Sequence, residues 1–464
     1  MDESIRMLLG LAIGIIMMIV LVSKTKVHTF IALLAAAIVT GLIGGMPISD
    51  TVVNGETVTG IISSIQNGFG NTLKSTGIII GLGVMMGGIL EASGGAERLA
   101  YSFIKAVGKK HEEWALAITG WFISIPVFAD SAIVIFAPLC KAMSRVTGKS
   151  IVSLALALAC GLQLTHCLVP PTPGPLTAAT TLGVDVGQMI LAGAIISIPM
   201  LIVVMFYVKP LGKKLYQVPN DQGGYDRMEY KAEYIKTMDN LDELIGQKDL
   251  PKLLPSIAPI LVPIVLILLK TVLDFVDASN AFVDLIGSPI VALGIGTLLA
   301  IYGLARKKPT KEVLKYMDEA IKSTGIIMLI TGAGGSLGQI IKDSGIGDAL
   351  GELVVKSPLP AVLIPFVIAA LMRVALGSAT VAITTAANLS APLLAVLNVS
   401  PLLMALSCCV GAISFSYFND SGFWVWNGMF GVSELKDQLR CKTAVSMIMA
   451  GVGIVELLVC SLFM

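Results

Sequence analysis

Ser75-Thr-Gly-Ile-Ile79 returns as Ser323-Thr-Gly-Ile-Ile327, an offset of 248 (323 − 75). Asp130-Ser-Ala-Ile-Val134 lines up with Gly377-Ser-Ala-Thr-Val381, where the serines are 247 apart (378 − 131). Thr172-Pro-Gly174 lines up with Asp420-Ser-Gly422, again at 248 (422 − 174). One short match means little in a chain so rich in Gly, Ser and Ile. Three anchors at one spacing, each interrupting an apolar run, indicate a duplicated architecture. In membrane transporters, broken segments at corresponding positions of two halves point to the binding site.

Composition restricts what the halves can be. Apolar residues make up 55% of the chain, charged residues 14%, and mean hydropathy is +0.86. Many segments reach the roughly 20 apolar residues needed to cross a bilayer, so the chain reads as a polytopic membrane protein. A net charge of +1 gives no reason to expect nucleic acid. Asp2 and Glu3 precede the apolar run 7–22 and no small-x-small site follows it, so that run is expected to be a first span, not a cleaved signal. The seven cysteines contain no CxxC pair, sit mostly inside apolar runs, and read as small buried hydrophobes.

Apolar spans fall near 5–22, 28–45, 76–92, 151–180 and 187–208, and then near 255–272, 287–304, 324–342, 402–428 and 443–463. The stretches 58–73 and 310–322 are amphipathic and are expected to lie in the membrane interface as separate pieces. A polar linker, 209–252, carries eight Lys/Arg and eight Asp/Glu, dividing the chain into repeats 1–208 and 253–464. Basic residues set the orientation. Lys105, Lys109 and Lys110 precede 114–140, and Lys141, Arg145 and Lys149 follow it, so both flanks are expected in the cytoplasm. The segment between them suits a re-entrant hairpin with its tip near Asp130-Ser131. Arg306, Lys307 and Lys308 place one loop of the second half inside, as do Lys436, Arg440 and Lys442, whereas the corresponding loop 46–58 has no Lys or Arg. The halves therefore read as oppositely inserted, with about five spans each. A second hairpin, 358–398 with its tip near Gly377–Thr380, would enter from outside; its length also suits two full spans.

Four places put polar groups or helix breakers at membrane depth: Pro126–Ser131, His166–Pro175, Arg373 with Gly377–Thr380, and Asn419–Gly422. Prolines 170, 171, 173 and 175 cannot continue a helix, and unwound backbone at that depth is tolerated only inside protein or along a watered cavity. Freed N–H groups at helix starts suit an anion, and freed carbonyls and Asp side chains suit a cation or proton. The plainer readings are that Ser and Thr bond the preceding turn, Pro kinks a span, and His166 packs. Asp130, Asp420 and Arg373 resist them, because an ionised group at the bilayer centre costs at least roughly 2.5–3.5 kcal/mol. Glu456, with no breaker beside it, stays outside the candidate site.

Phe128-Ala-Asp-Ser-Ala-Ile-Val-Ile135, His166-Cys-Leu-Val-Pro-Pro-Thr-Pro-Gly-Pro175, Gly377-Ser-Ala-Thr-Val-Ala382 and Asn419-Asp-Ser-Gly-Phe-Trp424 resemble the signature stretches of the gluconate:proton symporter (GntP) family, within the ion-transporter superfamily. The likeness covers nearly the whole chain. It implies an all-α protein of two inverted-topology repeats with two re-entrant hairpins and two broken helices, arranged as scaffold and moving domains of an elevator, in a homodimer in the inner membrane. Members import gluconate and related sugar acids, short hydroxy acids, or D-serine. Where many relatives have Ser-His-Val before Asn-Asp, this chain has Ser416-Tyr417-Phe418.

The expected site therefore holds one small carboxylate between the hairpin tips and the two breaks. Ser131, Ser378, Thr380 and helix-start N–H groups would bind it, with Thr172, Gly174, Asn419 and Ser421 beside them. Asp130, Asp420 and His166 would handle the coupling proton, and Arg373 would pair with a carboxylate. No cofactor is called for. Sodium is the alternative coupling ion. Among enzymes, Gly345-Ile-Gly347-Asp348 matches a GxGD protease motif, with Tyr225-Asp226 as partner, but Tyr225-Asp226 lies in the polar linker. Gly148-Lys-Ser lacks the upstream glycine of a phosphate loop. A passive channel fits two opposed hairpins poorly.

Overall fold

Long apolar runs with few breakers become helices, and the breakers decide where they stop. The computed structural model describes residues 3–25, 27–53, 56–107, 111–220, 222, 224–235, 250–306, 308–346, 358–417 and 420–463. The first part holds α1 (Glu3–Ser23), α2 (Thr29–Gly44), α3 (Ile61–Ala92), α4 (Gly95–Val107), α5 (Glu112–Ile123), α6 (Ala129–Thr147), α7 (Ile151–Leu168), α8 (Pro173–Thr181) and α9 (Val186–Lys214). The second holds α10 (Leu253–Phe275), α11 (Ala281–Gly287), α12 (Pro289–Leu299), α13 (Thr310–Asp343), α14 (Leu363–Leu376), α15 (Ala379–Ser390), α16 (Pro401–Ile413), α17 (Ser421–Met429) and α18 (Ala444–Cys460). A short hairpin pairs β1 (Thr51–Val53) with β2 (Glu56–Val58), and another pairs β3 (Gln217–Pro219) with β4 (Tyr225–Arg227). Among the described residues eight helices are long and apolar enough to cross a membrane; reading α11 and α12, bent by 59°, as one span gives nine.

The amphipathic stretches are not separate elements. Residues 61–73 continue into α3, a helix of 32 residues, and 310–322 continue into α13, one of 34 residues. No proline or cap interrupts either join, so the backbone ladder simply runs on. A 34-residue helix is about 51 Å long, well beyond a hydrocarbon core of about 30 Å, so charged and spanning parts share one rod. The two rods pack closely: a Cβ on Gly68 would come within 2.4 Å of the Gly335 carbonyl oxygen, and Ser336 donates to the Ile65 carbonyl at 2.9 Å. α9 also runs further than expected, to Lys214, before the linker begins.

The core lies around α7, nearly all of which is buried, with α5, α6, α9 and α16 packed against it. Reciprocal glycines bring α5 and α7 together: a Cβ on Gly161 would meet the Ala117 carbonyl oxygen at 2.0 Å, and one on Gly120 the Leu158 carbonyl oxygen at 2.3 Å. Trp426, Phe423 and Phe430 of the α17 region are fully buried, and the Trp426 indole donates to the Ala155 carbonyl at 3.2 Å. Six cysteines are buried and Cys460 is half-buried. The linker is strapped to this core: Tyr225 donates its hydroxyl to the Met429 carbonyl at 2.5 Å, Gln217 donates to the Phe430 carbonyl at 2.7 Å, and Arg227 pairs with Asp437 at 2.7 Å.

Candidate functional site

All four suspected breaks are real interruptions. Between α5 and α6 the chain turns through Ser124–Phe128, so Asp130 and Ser131 are not the tip; they open the second arm. Between α7 and α8 lie Val169–Thr172, with a cis bond joining Pro170 and Pro171. α14 ends at Gly377, whose φ of +78° suits glycine, and its N–H donates to the Arg373 carbonyl at 3.0 Å. Ser378 then caps α15 by accepting from the Val381 N–H at 3.4 Å. After α16 the chain leaves the helix at Ser414 and Phe415, the latter at a φ of +52°, and Asp420 caps α17 by accepting from the Gly422 N–H at 3.0 Å. A bulky residue at positive φ is strained backbone, held only by its surroundings.

These interruptions converge on a cavity of about 440 Å³ whose lining includes Asp130, Ser131, His166, Arg373, Ser378, Thr380 and Asp420. That volume lies within the ordinary range for small-molecule sites. The first turns of α6, α15 and α17 all border it, each offering N–H groups with no partner inside its own helix.

Inside it, Arg373 is only 2% exposed and pairs with Asp420 at 2.5 Å, while its other amino group donates to the Gly377 carbonyl. Asp420 also accepts from the Ser416 hydroxyl at 2.5 Å. Hairpin tip, helix break and ion pair thus form one connected unit. Across the cavity, the Thr380 hydroxyl lies 3.3 Å from Nε2 of His166; Nδ1 of that ring is buried with no hydrogen-bond partner among the described residues. The Asp130 carboxylate reaches over the start of α17, 2.7 Å from where a Cβ on Gly422 would sit. Only glycine at 422 leaves that room.

Two sequence expectations are corrected. Thr172 donates its hydroxyl to the Val169 carbonyl at 2.6 Å, and Gly174 packs against Ile383 and Thr380; neither lines the cavity. The proline-rich break is spent on docking α8 against α15. Ser421 is the first residue of α17. Asn419 lies outside the described residues, as do Gly347 and Asp348 of the GxGD match. Glu456 on α18 does not line the cavity.

The cavity also holds two polar side chains that the sequence reading passed over, Gln163 and Lys442. Gln163 precedes His166 by three residues, on the same face of α7, and donates to the Ile413 carbonyl at 3.3 Å. That spacing was the available signal. A second cavity of similar volume, about 440 Å³, is lined by Asn71, Thr72, Gln339, Lys342 and Asn388 among others, but its one ionisable lining residue, Lys342, is exposed. The buried charges are in the first.

Comparison with known proteins now decides the family. The model of the GntP family permeases matches residues 6–463. The chain belongs to the GntP permease family. An uncharacterised permease of Haemophilus influenzae is 42% identical over 98% of this chain and 92% of its own. A gluconate permease of Pseudomonas aeruginosa is 34% identical over 100% of this chain and 99% of its own. In fold, the permease resembles the YdaH transporter of Alcanivorax borkumensis, with a TM-score of 0.62 at 13% identity, covering 92% of this chain and 95% of that one. The permease is thus a transporter and not an enzyme, a multi-pass protein of the bacterial inner membrane.

Proposed function

We propose that the permease imports a gluconate-like sugar acid by proton symport. The observation that carries this reading is the single cavity in which three broken elements place two carboxylates, a buried guanidinium, hydroxyls and open helix starts together. Hydroxyls of Ser131, Ser378 and Thr380 suit the hydroxyls of a sugar acid, and the helix starts suit its carboxylate. Asn419 and Ser421, at the same break as Asp420, belong to this reading, while Thr172 and Gly174 support it from α8 as packing.

Proton handling is assigned to Asp130, His166 and Asp420, which line the cavity together. Asp420 is already engaged by Arg373, Ser416 and the Gly422 N–H, so loading a proton there would disturb the pair that ties the second hairpin to the last break. The matched element pairs (α3 with α13, α5–α6 with α14–α15, α7–α8 with α16–α17) support two inverted repeats, 1–208 and 253–464, on either side of the linker 209–252. In that arrangement the hairpins and broken helices form the moving part of an elevator, and the protein works as a homodimer. Sodium coupling is the competing reading.

Proteoliposomes in sodium-free buffer, alkaline inside, test it. Labelled gluconate is expected to accumulate against its gradient, and Asp130→Asn is expected to remove the pH dependence. Uptake that needs sodium and ignores the pH gradient contradicts the proton reading.

A further inference from the structure

Among the described residues, one cation of the cavity makes no direct ion pair or hydrogen bond. Three basic residues flank the start of the last span; Lys436 is exposed and Arg440 pairs with Asp437 at 3.3 Å, yet Lys442 is turned inward and only 6% exposed. Among the described residues no carboxylate lies within ion-pairing distance of Lys442 and no acceptor takes a hydrogen bond from it, whereas Arg373, the other cation of the cavity, is engaged on both sides. Lys442 is largely withdrawn from bulk water yet lines the cavity, so an anion entering there would meet its charge in a poorly hydrated place.

Its placement is deliberate backbone. Residues Leu439–Thr443 form a π-helical turn, a local widening by one residue that recurs at functional sites. The turn is fixed on both sides: Tyr207 donates to the Arg440 carbonyl at 3.2 Å, and Thr443 donates to the Ser416 carbonyl at 2.6 Å. The Ser416 N–H in turn donates to the Ser446 hydroxyl at 3.1 Å. Since Ser416 also holds Asp420, the start of the last span and the charged break are clamped together.

We propose that Lys442 receives the carboxylate of the transported acid, a specificity residue that separates sugar acids from neutral polyols. This rests on the sugar-acid reading of the cavity and sharpens it. Formally, Asp130, Asp420, Arg373 and Lys442 sum to zero. An entering monoanion makes the cavity −1, and one proton restores neutrality, so the lysine makes anion binding feasible and the proton makes the loaded cavity as neutral as the empty one. Asp130, Asp420, Arg373, the His166 ring and the Cys167 thiol are the titratable groups that share the cavity with Lys442.

The test uses the purified full chain in lipid nanodiscs, titrated with gluconate and with glucitol, which keeps the hydroxyl chain and lacks the carboxylate. Lys442→Gln is expected to weaken gluconate by roughly 10- to 100-fold, the scale of a hydrogen bond to a charged group, with glucitol unchanged and Lys442→Arg partly restoring the acid. Unchanged gluconate affinity in Lys442→Gln, or an equal loss for both ligands, overturns the proposal. If the variant does not fold, acylation of Lys442 in the unaltered protein, read by mass spectrometry, serves instead. Gluconate is expected to shield Lys442 and glucitol is not; no shielding overturns it. Unaltered protein that binds gluconate and glucitol equally overturns this proposal alone, and protein that binds neither overturns the sugar-acid reading with it.

Discussion

Arg373 and Asp420 form a largely buried ion pair at the cavity, with side chains only 3% and 13% exposed. Removing one partner leaves the other charge buried, a cost of about 3–5 kcal/mol. Arg373→Leu is therefore expected to lower thermal stability in detergent sharply, and Arg373→Leu combined with Asp420→Asn to recover much of it. Equal losses in single and double variants would show that the pair is not a unit. Gly422→Ala acts differently: its methyl would sit 2.7 Å from a carboxylate oxygen of Asp130. Uptake is expected to fall severalfold while the melting temperature barely moves, because only the carboxylate must shift. At this scale the sequence was readable wherever a charge at membrane depth demanded a reason, as at Asp130, Asp420 and Arg373. Lys442 escaped because a lysine at a span end satisfies the positive-inside pattern without further explanation, and only its burial and its place in the cavity lining show that it points inward.

Elements were legible where proline or glycine forces a break, and less so where charge suggested one. The hairpin arms and both broken helices follow the Pro and Gly-Ser signals. The amphipathic starts of α3 and α13 looked separate because they are more polar than the spans they lead into, yet nothing in the backbone stops the helix. Packing between elements depends on contacts that sequence hides. Gly161 and Gly120 let α5 and α7 approach until only hydrogens fit, and the facing atoms are backbone. Gly161→Val is expected to cost about 1–3 kcal/mol or more, seen as poor monodispersity and a lowered melting temperature. The base of the first hairpin depends on Lys149, which pairs with Glu112 at 2.7 Å and Glu113 at 2.5 Å. Burial pushes the Lys149 pKa down, but the Glu113 charge and the hydrogen bonds it donates to both glutamates outweigh that, so it stands above its usual 10.5. A raised folded value means this contribution is complete below pH 10.5 and fades only as the pH climbs through the folded value. Lys149→Met is expected to lose about 3 kcal/mol near neutral pH, a difference from the parent protein that narrows in strong alkali. A gap constant to high pH would contradict the cluster's role.

Across the whole molecule, one cavity collects contributions from chain positions more than 300 residues apart, Phe128 at one end and Lys442 at the other. The offset of about 248 residues had suggested that distant breaks would share a site, and the breaks at Asp130 and Gly377 and the start of the last broken helix at Asp420 border this cavity. The eight or nine spans and the position of the linker straps could not be read so directly, since they depend on how short, bent helices fill space between long ones. Charge counting sets what the assembled transporter can accumulate. One proton with one monoanion moves no net charge, so only the pH gradient drives uptake; a second proton would add about 2.3 kcal/mol per 100 mV, ~50-fold in accumulation. Uptake of gluconate is therefore expected to be insensitive to a valinomycin-imposed potential if a single proton travels. The measurement that bears most directly on the account is the structure of the permease determined with gluconate bound. The acid is expected in the cavity beside Arg373, Ser378 and Lys442; density for it elsewhere, for instance beside Gln339 and Asn388 in the second cavity, with the first left empty, would contradict it.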